Sequence, residues 1–264
     1  MQNGYYQATG AMVTQFNRLD TISNNLANVN TYGYKRKDVV VGDFERIFKD
    51  SEDELPLKNH TKDAAKFLNR TLDRVPVISE SYTDFSAAGM KYTSNPLDFA
   101  IKQDDAFFAV QTESGVMLSK NGAFSLDAEG YIINKEGYRI LGENNQPIAL
   151  DTDAQISVDK SGYIYEDGEV ANKFNILSVQ DVRDLNKIGD NLYSPNARAD
   201  VRAGDDEADL LVQGYVQMSN VNPVTEMVAL IETNRLVEMY QRVMNSQMND
   251  INQDAITKLG AVKQ

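Results

Sequence analysis

A single histidine, His60, and no cysteine leave this 264-residue chain little from which to build a catalytic or metal centre. Without thiols there is no disulfide, no thiolate ligand and no cysteine nucleophile. His60 stands in a charged stretch, and no Gly-x-Ser-x-Gly elbow, phosphate loop or dinucleotide fingerprint occurs elsewhere. The runs Asp151-Thr152-Asp153 and Asp205-Asp206-Glu207 are the remaining candidates for cation binding or paired-carboxylate chemistry. The first fails as a calcium loop: Ile156 falls at the sixth position, where glycine makes the turn, and Gly162 at the twelfth, where a glutamate is needed. Both runs read as solvated loop charge. The sequons Asn59-His60-Thr61 and Asn69-Arg70-Thr71 read as coincidental. The expectation is therefore a protein that is not an enzyme and has no catalytic residue, cofactor or metal.

The polar chemistry that is concentrated here belongs to uncharged amides. Ser23-Asn24-Asn25-Leu26-Ala27-Asn28-Val29-Asn30-Thr31 places asparagines around an apolar stripe, and Ser219-Asn220-Val221-Asn222 mirrors it near the other end. An amide both donates and accepts hydrogen bonds without charge, so it can be buried between subunits without the desolvation cost of an ion. For any one of these residues capping and turn formation is the more ordinary reading, and it is the cluster that points to an interface. A formal charge of -13 disfavours nucleic acid and anionic membrane surfaces, which are bound through clustered Lys and Arg. No apolar run is long enough to cross a bilayer, so membrane insertion is not expected. The first seventeen residues hold neither Lys nor Arg, so a secretory n-region is missing and export is expected to take another route.

The elements that position these amides are two helices and a β-rich centre. Tyr5, Ala8, Met12, Phe16, Leu19, Ile22, Leu26 and Val29 recur in steps of three and four, as do Met227, Leu230, Val237, Met244, Met248, Ile251 and Ala255. At about 1.5 Å per residue these helices would span roughly 39 Å and roughly 54 Å. Gly33 suits the left-handed position that closes the first; Asn222 before Pro223, with Glu226 in the first turn, opens the second. Two such stripes predict a coiled-coil-like pairing of the ends. Between them, runs such as Phe107–Gln111, Tyr131–Ile133, Gln155–Val158 and Tyr163–Tyr165 alternate with the turn dipeptides Asn121-Gly122, Glu129-Gly130 and Asp167-Gly168, an antiparallel pattern. The reading is α+β: a terminal helical assembly domain of 1–32 and 221–264, an extended linker and insertion over 33–80 with a possible helix over 62–73, and a β-rich domain over 81–220.

The stretch Leu19-Asp20-Thr21-Ile22-Ser23-Asn24-Asn25-Leu26-Ala27-Asn28-Val29-Asn30-Thr31-Tyr32-Gly33-Tyr34-Lys35-Arg36 resembles the N-terminal signature of the bacterial flagellar rod and hook proteins. Thr93–Ile101 with Phe107-Phe108, Asn121–Ser125 with Gly130, and Gln213–Pro223 agree with the same family in order. Size and central segment resemble the basal-body rod subunits more than the larger hook protein, which stays the alternative. Tyr32, Asp104-Asp105-Ala106, Val237 and the insertion over 49–80 depart from the family pattern. The resemblance implies a subunit exported unfolded by the flagellar type III apparatus without a cleaved signal, then assembled across the periplasm into a helical tube around the export channel. Its implied partners are copies of itself, other rod and hook proteins, the export apparatus and the surrounding periplasmic ring. The expected subunit-interface residues are Met12, Phe16, Leu19, Ile22, Asn24, Asn25, Leu26, Asn28, Val29, Asn220, Asn222, Met227, Leu230, Val237, Met244 and Ile251, with Gly33 and Pro223 as helix-end and turn positions. An independent adhesin would also place helices around a β body, but would not match four ordered segments of one family.

Overall fold

The computed structural model describes residues 2–43, 76–151, 154–189, 191–204 and 209–261. The insertion up to residue 75, with its possible helix, His60 and both sequons, lies outside the described residues, as do Asp205-Asp206-Glu207 and most of Asp151-Thr152-Asp153. Two compact units are present. One comprises Met1–Leu26, Lys37–Tyr82 and Pro223–Gln264; the other comprises Ala27–Arg36 and Thr83–Asn222.

The first unit holds helix α1 (Gln2–Ala27) and strands β1 (Lys37–Asp43) and β2 (Pro76–Thr83), which pair with each other. The second holds β3 (Met90–Tyr92), β4 (Phe99–Ile101), β5 (Ala106–Thr112), β6 (Gly115–Ser119), β7 (Ser125–Leu126), β8 (Ile132–Ile133), β9 (Arg139–Ile140), β10 (Ile156–Val158) and β11 (Tyr163–Glu166). It continues with β12 (Glu169–Lys173), β13 (Ile176–Val179), β14 (Leu185–Gly189), β15 (Leu192–Pro195), β16 (Val201–Ala203), β17 (Leu211–Gln213) and β18 (Tyr215–Gln217), and α2 (Pro223–Ala261) returns the chain to the first unit.

The expected coiled-coil-like pair of terminal helices is not formed, although helices and a β-rich centre are both there. A coiled coil needs apolar knobs buried along one seam. Here Phe16 is 43% exposed and Met227 and Met248 are each 49% exposed, whereas Thr14, Gln15 and Asn25 of α1 and Glu226 and Thr233 of α2 are buried. The reason lies in the distribution of side chains: Val224, Met227, Val228, Ile231, Met239, Val243 and Met248 leave apolar groups in water on several faces of α2, so no single stripe dominates. Where the helices meet, the bonds are polar. Asn25 Nδ2 donates to Glu226 Oε2 at 3.5 Å and Thr9 Oγ1 to Met244 Sδ at 3.7 Å.

The first helix also ends at Ala27, six residues short of Gly33. Asn28 starts a turn in which its carbonyl accepts from Thr31 N and its Oδ1 from Thr31 Oγ1, both at 3.1 Å. Short polar side chains near the backbone compete with the helix in this way.

The β body is organised about β5. Ala106 to Val110 are buried on both faces of the sheet, with Ala106, Phe108 and Val110 in one apolar cluster and Phe107 in another. Alternation of side chains makes this possible. The larger cluster adds Phe99, Phe124, Ile132, Ile140, Ile164 and Phe174, with Phe108 edge-on to Phe124 at 5.1 Å. The smaller joins Phe85, Leu118, Val179, Leu185 and Tyr193. The sheet order is β14-β15-β6-β5-β9-β8-β7, with β13 also pairing β5 and β16. The β5–β6 hairpin runs in register from Phe108 opposite Ser119 to Thr112 opposite Gly115.

Three turns in this body share one construction that the dipeptide reading missed. Asp127, Asn134 and Asp159 each stand three residues before a glycine at φ of +83°, +88° and +92°, and four before Tyr131, Tyr138 and Tyr163. In each, the Asx carbonyl accepts from the glycine N–H and the Asx Oδ1 from the tyrosine N–H. Asp167-Gly168 does form the expected tight hairpin between β11 and β12, both residues at positive φ.

Candidate assembly site

Residues 28–36 follow α1 but belong to the β body, and the distant segments that carry the family resemblance converge on them. Gly33 N donates to Gln217 O at 2.8 Å, Asn191 Nδ2 to Tyr32 O at 2.9 Å, and Lys187 Nζ to Lys35 O at 3.2 Å. Gly33 sits at φ +69°, and a Cβ there would lie 2.5 Å from the backbone of Lys120 and Asn121, so only glycine allows the segment to pass so close to that backbone. Gly122, expected in a hairpin turn, instead lets two backbones touch. A Cβ there would lie 1.9 Å from Phe99 O, where Phe99 N also donates to Gly122 O. The Asn-Gly pair marks a close backbone approach, which the same two letters conceal.

Two asparagines hold the chain by its backbone. Asn25, 1% exposed, accepts from Lys37 N at 3.0 Å and donates to Lys37 O at 2.8 Å. Asn220 accepts from Arg36 N at 2.8 Å and donates to Asp84 O at 2.8 Å, while Asp84 N donates to Arg36 O. Each amide supplies one donor and one acceptor to a strand-like backbone, which neither a carboxylate nor an apolar side chain does.

Two buried lysines meet here, Lys35 from the segment itself and Lys120 from the residue after β6. Lys35 donates from Nζ to Ser86 O at 2.8 Å and to Phe85 O at 3.4 Å. Lys120 donates to Gln103 O and stands 4.7 Å from the centre of the Phe107 ring. Burial lowers the Lys35 amine, against attraction from Asp104 and Asp84. Burial and then the neighbouring Lys35 ammonium push Lys120 down to about 7, opposed by Asp104 and Asp105. Burial likewise raises the Tyr193 phenol.

Among the other residues expected at subunit contacts, Ile22 and Val237 are buried; Met12, Leu19, Leu26, Asn28, Val29, Leu230 and Met244 are half-buried; Phe16, Asn24, Asn222 and Met227 are exposed. Gly33 is buried and Pro223, the first residue of α2, is exposed. The Ile251 side chain lies outside the described residues. Asn25 and Glu226 are brought together, as are Asn220, Arg36 and Asp84. Sequence reasoning did not single out Lys35, Lys120, Asn191 or Gln217; for Lys35, Lys120 and Gln217 the signal available was their place inside or beside the resembling segments, and Asn191 carried none. Among the described residues no group of three His, Asp or Glu side chains is arranged to hold a metal ion, and no helix is long and apolar enough to cross a membrane.

Three known families match along the chain. Residues 6–35 match the family described as flagella basal body rod protein, residues 100–166 the flagellar hook protein FlgE/F/G D1 domain, and residues 212–257 the flagellar basal body rod FlgEFG protein C-terminal. The chain is 28% identical over 262 residues to the flagellar basal-body rod protein FlgF of Mesorhizobium japonicum, covering 99% of both chains. It is 26% identical over 263 residues to FlgF of Caulobacter vibrioides, covering 99% of this chain and 100% of that one. To the flagellar basal-body rod protein FlgG of Bacillus subtilis it is 28% identical over 264 residues, covering 93% and 95%.

Proposed function

The chain belongs to the flagellar basal-body rod family and is a structural component of the flagellar rod, and from that premise we propose that it assembles by its terminal helices into a helical tube around the export channel. The observation that carries this reading is the apolar surface of those helices. Val13 and Phe16 on α1, and Met227, Val228, Ile231, Met239, Val243 and Met248 on α2, are all between 43% and 52% exposed. Scattered apolar exposure is ordinary, but eight large side chains on two helices is a surface for other subunits to cover. A tube that does not close on itself needs two different complementary faces on each subunit, and two helices supply them. The interface then includes Met12, Leu19, Leu26, Leu230 and Met244 at its edges, with Asn24 and Asn222 as uncharged rim contacts.

Export by the flagellar type III apparatus, a seat across the periplasm, and contact with other rod and hook proteins and the surrounding ring complete the proposal. Ile231→Asp tests the interface: Ile231 is 52% exposed, so the free chain should keep its stability within about 0.5 kcal/mol while motility is lost. Normal swimming by a strain carrying only this variant would refute the helical interface. Immuno-electron microscopy of isolated basal bodies should find the chain between the rings; label on the external hook would refute the rod assignment.

A further inference from the structure

Sulfur enters this chain only as thioether, and five of its nine methionines fall between positions 218 and 248. On α2 their surroundings divide. Met244 is half-buried and its Sδ accepts from Thr9 Oγ1 at 3.7 Å, which makes it part of the subunit's own packing. Met227, Met239 and Met248 are each 49% exposed, whereas Met117 is 8% exposed inside the larger apolar cluster. The three exposed thioethers share the surface of α2 with Val228, Ile231 and Val243. An aliphatic side chain would offer a neighbour the same apolar area, but a thioether adds a lone pair that reacts with two-electron oxidants. The product, a sulfoxide, is polar where the thioether was apolar.

We propose that Met227, Met239 and Met248 are oxidation sites, open to hydroperoxides in the free chain, and that their sulfoxides keep the chain out of the rod. This rests on the reading of α2 as an assembly surface. In the reaction a sulfur lone pair takes the terminal oxygen of the hydroperoxide and the O–O bond breaks; the hydroxyl proton moves to the departing oxygen, which leaves as water or an alcohol. Sulfur is oxidised by two electrons and the peroxide is reduced by two. Each sulfoxide carries a strong acceptor and no donor, so covering it with a neighbour's apolar side chains leaves a buried polar group unpaired. In the free chain the same oxygen stays in water, so oxidation leaves the subunit folded and acts against it only when it must be covered. A subunit already seated has these sulfurs covered and out of the oxidant's reach, so the sensitive period lies before assembly.

Two measurements test this. In the first, the purified full-length chain and isolated basal bodies are treated with hydrogen peroxide and sulfoxide is read by mass spectrometry at each methionine. In the free chain Met227, Met239 and Met248 should react about tenfold or more faster than Met117, because reactivity follows exposure, and in basal bodies that advantage should be lost. In the second, the chain is induced in cells given sublethal hydrogen peroxide, and complete rods per cell are counted relative to untreated cells of the same strain. The wild-type ratio should fall by about fivefold or more, the cost of burying unpaired groups. Met227→Leu, Met239→Leu and Met248→Leu combined should hold the ratio near one, and where that variant builds no rod each single Leu variant should recover part of it. Met90→Leu with Met218→Leu, at exposed sulfurs of the β body, should fall with the wild type. Helix sulfurs that react no faster than Met117, a wild-type ratio near one, or Leu variants that fall as far as the wild type would overturn the proposal. If any of these is found while Ile231→Asp abolishes swimming, this inference alone fails; if Ile231→Asp swims normally, the assembly surface beneath it fails.

Discussion

At the scale of single residues, the asparagines do two different things that their clustering hides. Asn24 and Asn222 are exposed, whereas Asn25 is buried with its amide matched to both backbone groups of Lys37 and within reach of Glu226. That geometry makes its substitutions unequal. Asn25→Ala removes two backbone partners and should cost about 1–3 kcal/mol, the penalty of leaving buried groups unpaired. Asn25→Asp should cost more, because the carboxylate keeps the acceptor for Lys37 N but turns an oxygen toward Lys37 O and Glu226. Urea unfolding of both variants gives the comparison; an Asp variant as stable as the Ala variant would mean that the donor contact is dispensable. Asn24→Ala, at an exposed position, should change little and serves as the reference.

At the scale of elements, the strands were readable because β-rich runs between turn residues specify where the chain reverses, and α2 because Pro223 both ends the preceding extended segment and suits a first helical position. What escaped was set by contacts far along the chain. Gly33 looks like a helix cap, but Asn28 stops α1 earlier and a glycine is required there by the close approach of the Lys120–Asn121 backbone. Buried lysines run against the ordinary expectation for that side chain, and nothing within ten residues of Lys35 or Lys120 announces the other. The repeated turn was present in the letters, as Asp or Asn, then glycine three residues on and tyrosine four on, but glycine dipeptides draw attention away from the Asx residue that does the bonding. Its side chain should be worth what it bonds. Asp159 Oδ1 accepts from Ser161 N at 3.0 Å and Tyr163 N at 2.9 Å, whereas Asn134 Oδ1 accepts from Tyr138 N alone at 2.8 Å. Asp159→Ala should therefore destabilise the chain by about 2 kcal/mol and Asn134→Ala by about 1 kcal/mol, at roughly 1 kcal/mol per bond. Equal losses in chemical denaturation would show that the glycine, not the side chain, defines the turn.

At the scale of the whole molecule, stability must be unevenly shared. The β body encloses two apolar clusters on either side of β5 and ties residues 28–36 into itself by backbone bonds at Gly33 and Arg36. Helix α2 has 39 residues, yet beyond Glu238 its described side chains are exposed or half-buried, with Met239, Val243 and Met248 in water. A helix that buries so little is held chiefly by its own hydrogen bonds, which in water leave it marginal. The free chain should then open locally in that stretch long before it unfolds globally, since local opening follows the density of buried contacts. Amide exchange on the purified chain should find β5 and β6 slow and the residues after Glu238 fast. In isolated basal bodies the same stretch should become slow, because covering Met239, Val243 and Met248 by a neighbouring subunit couples the ordering of the helix to assembly. If those amides are as protected in the free chain as in the rod, the helix is stable alone and assembly adds a contact without adding order; if they stay fast in the rod, the C-terminal half of α2 takes no part in the wall of the tube.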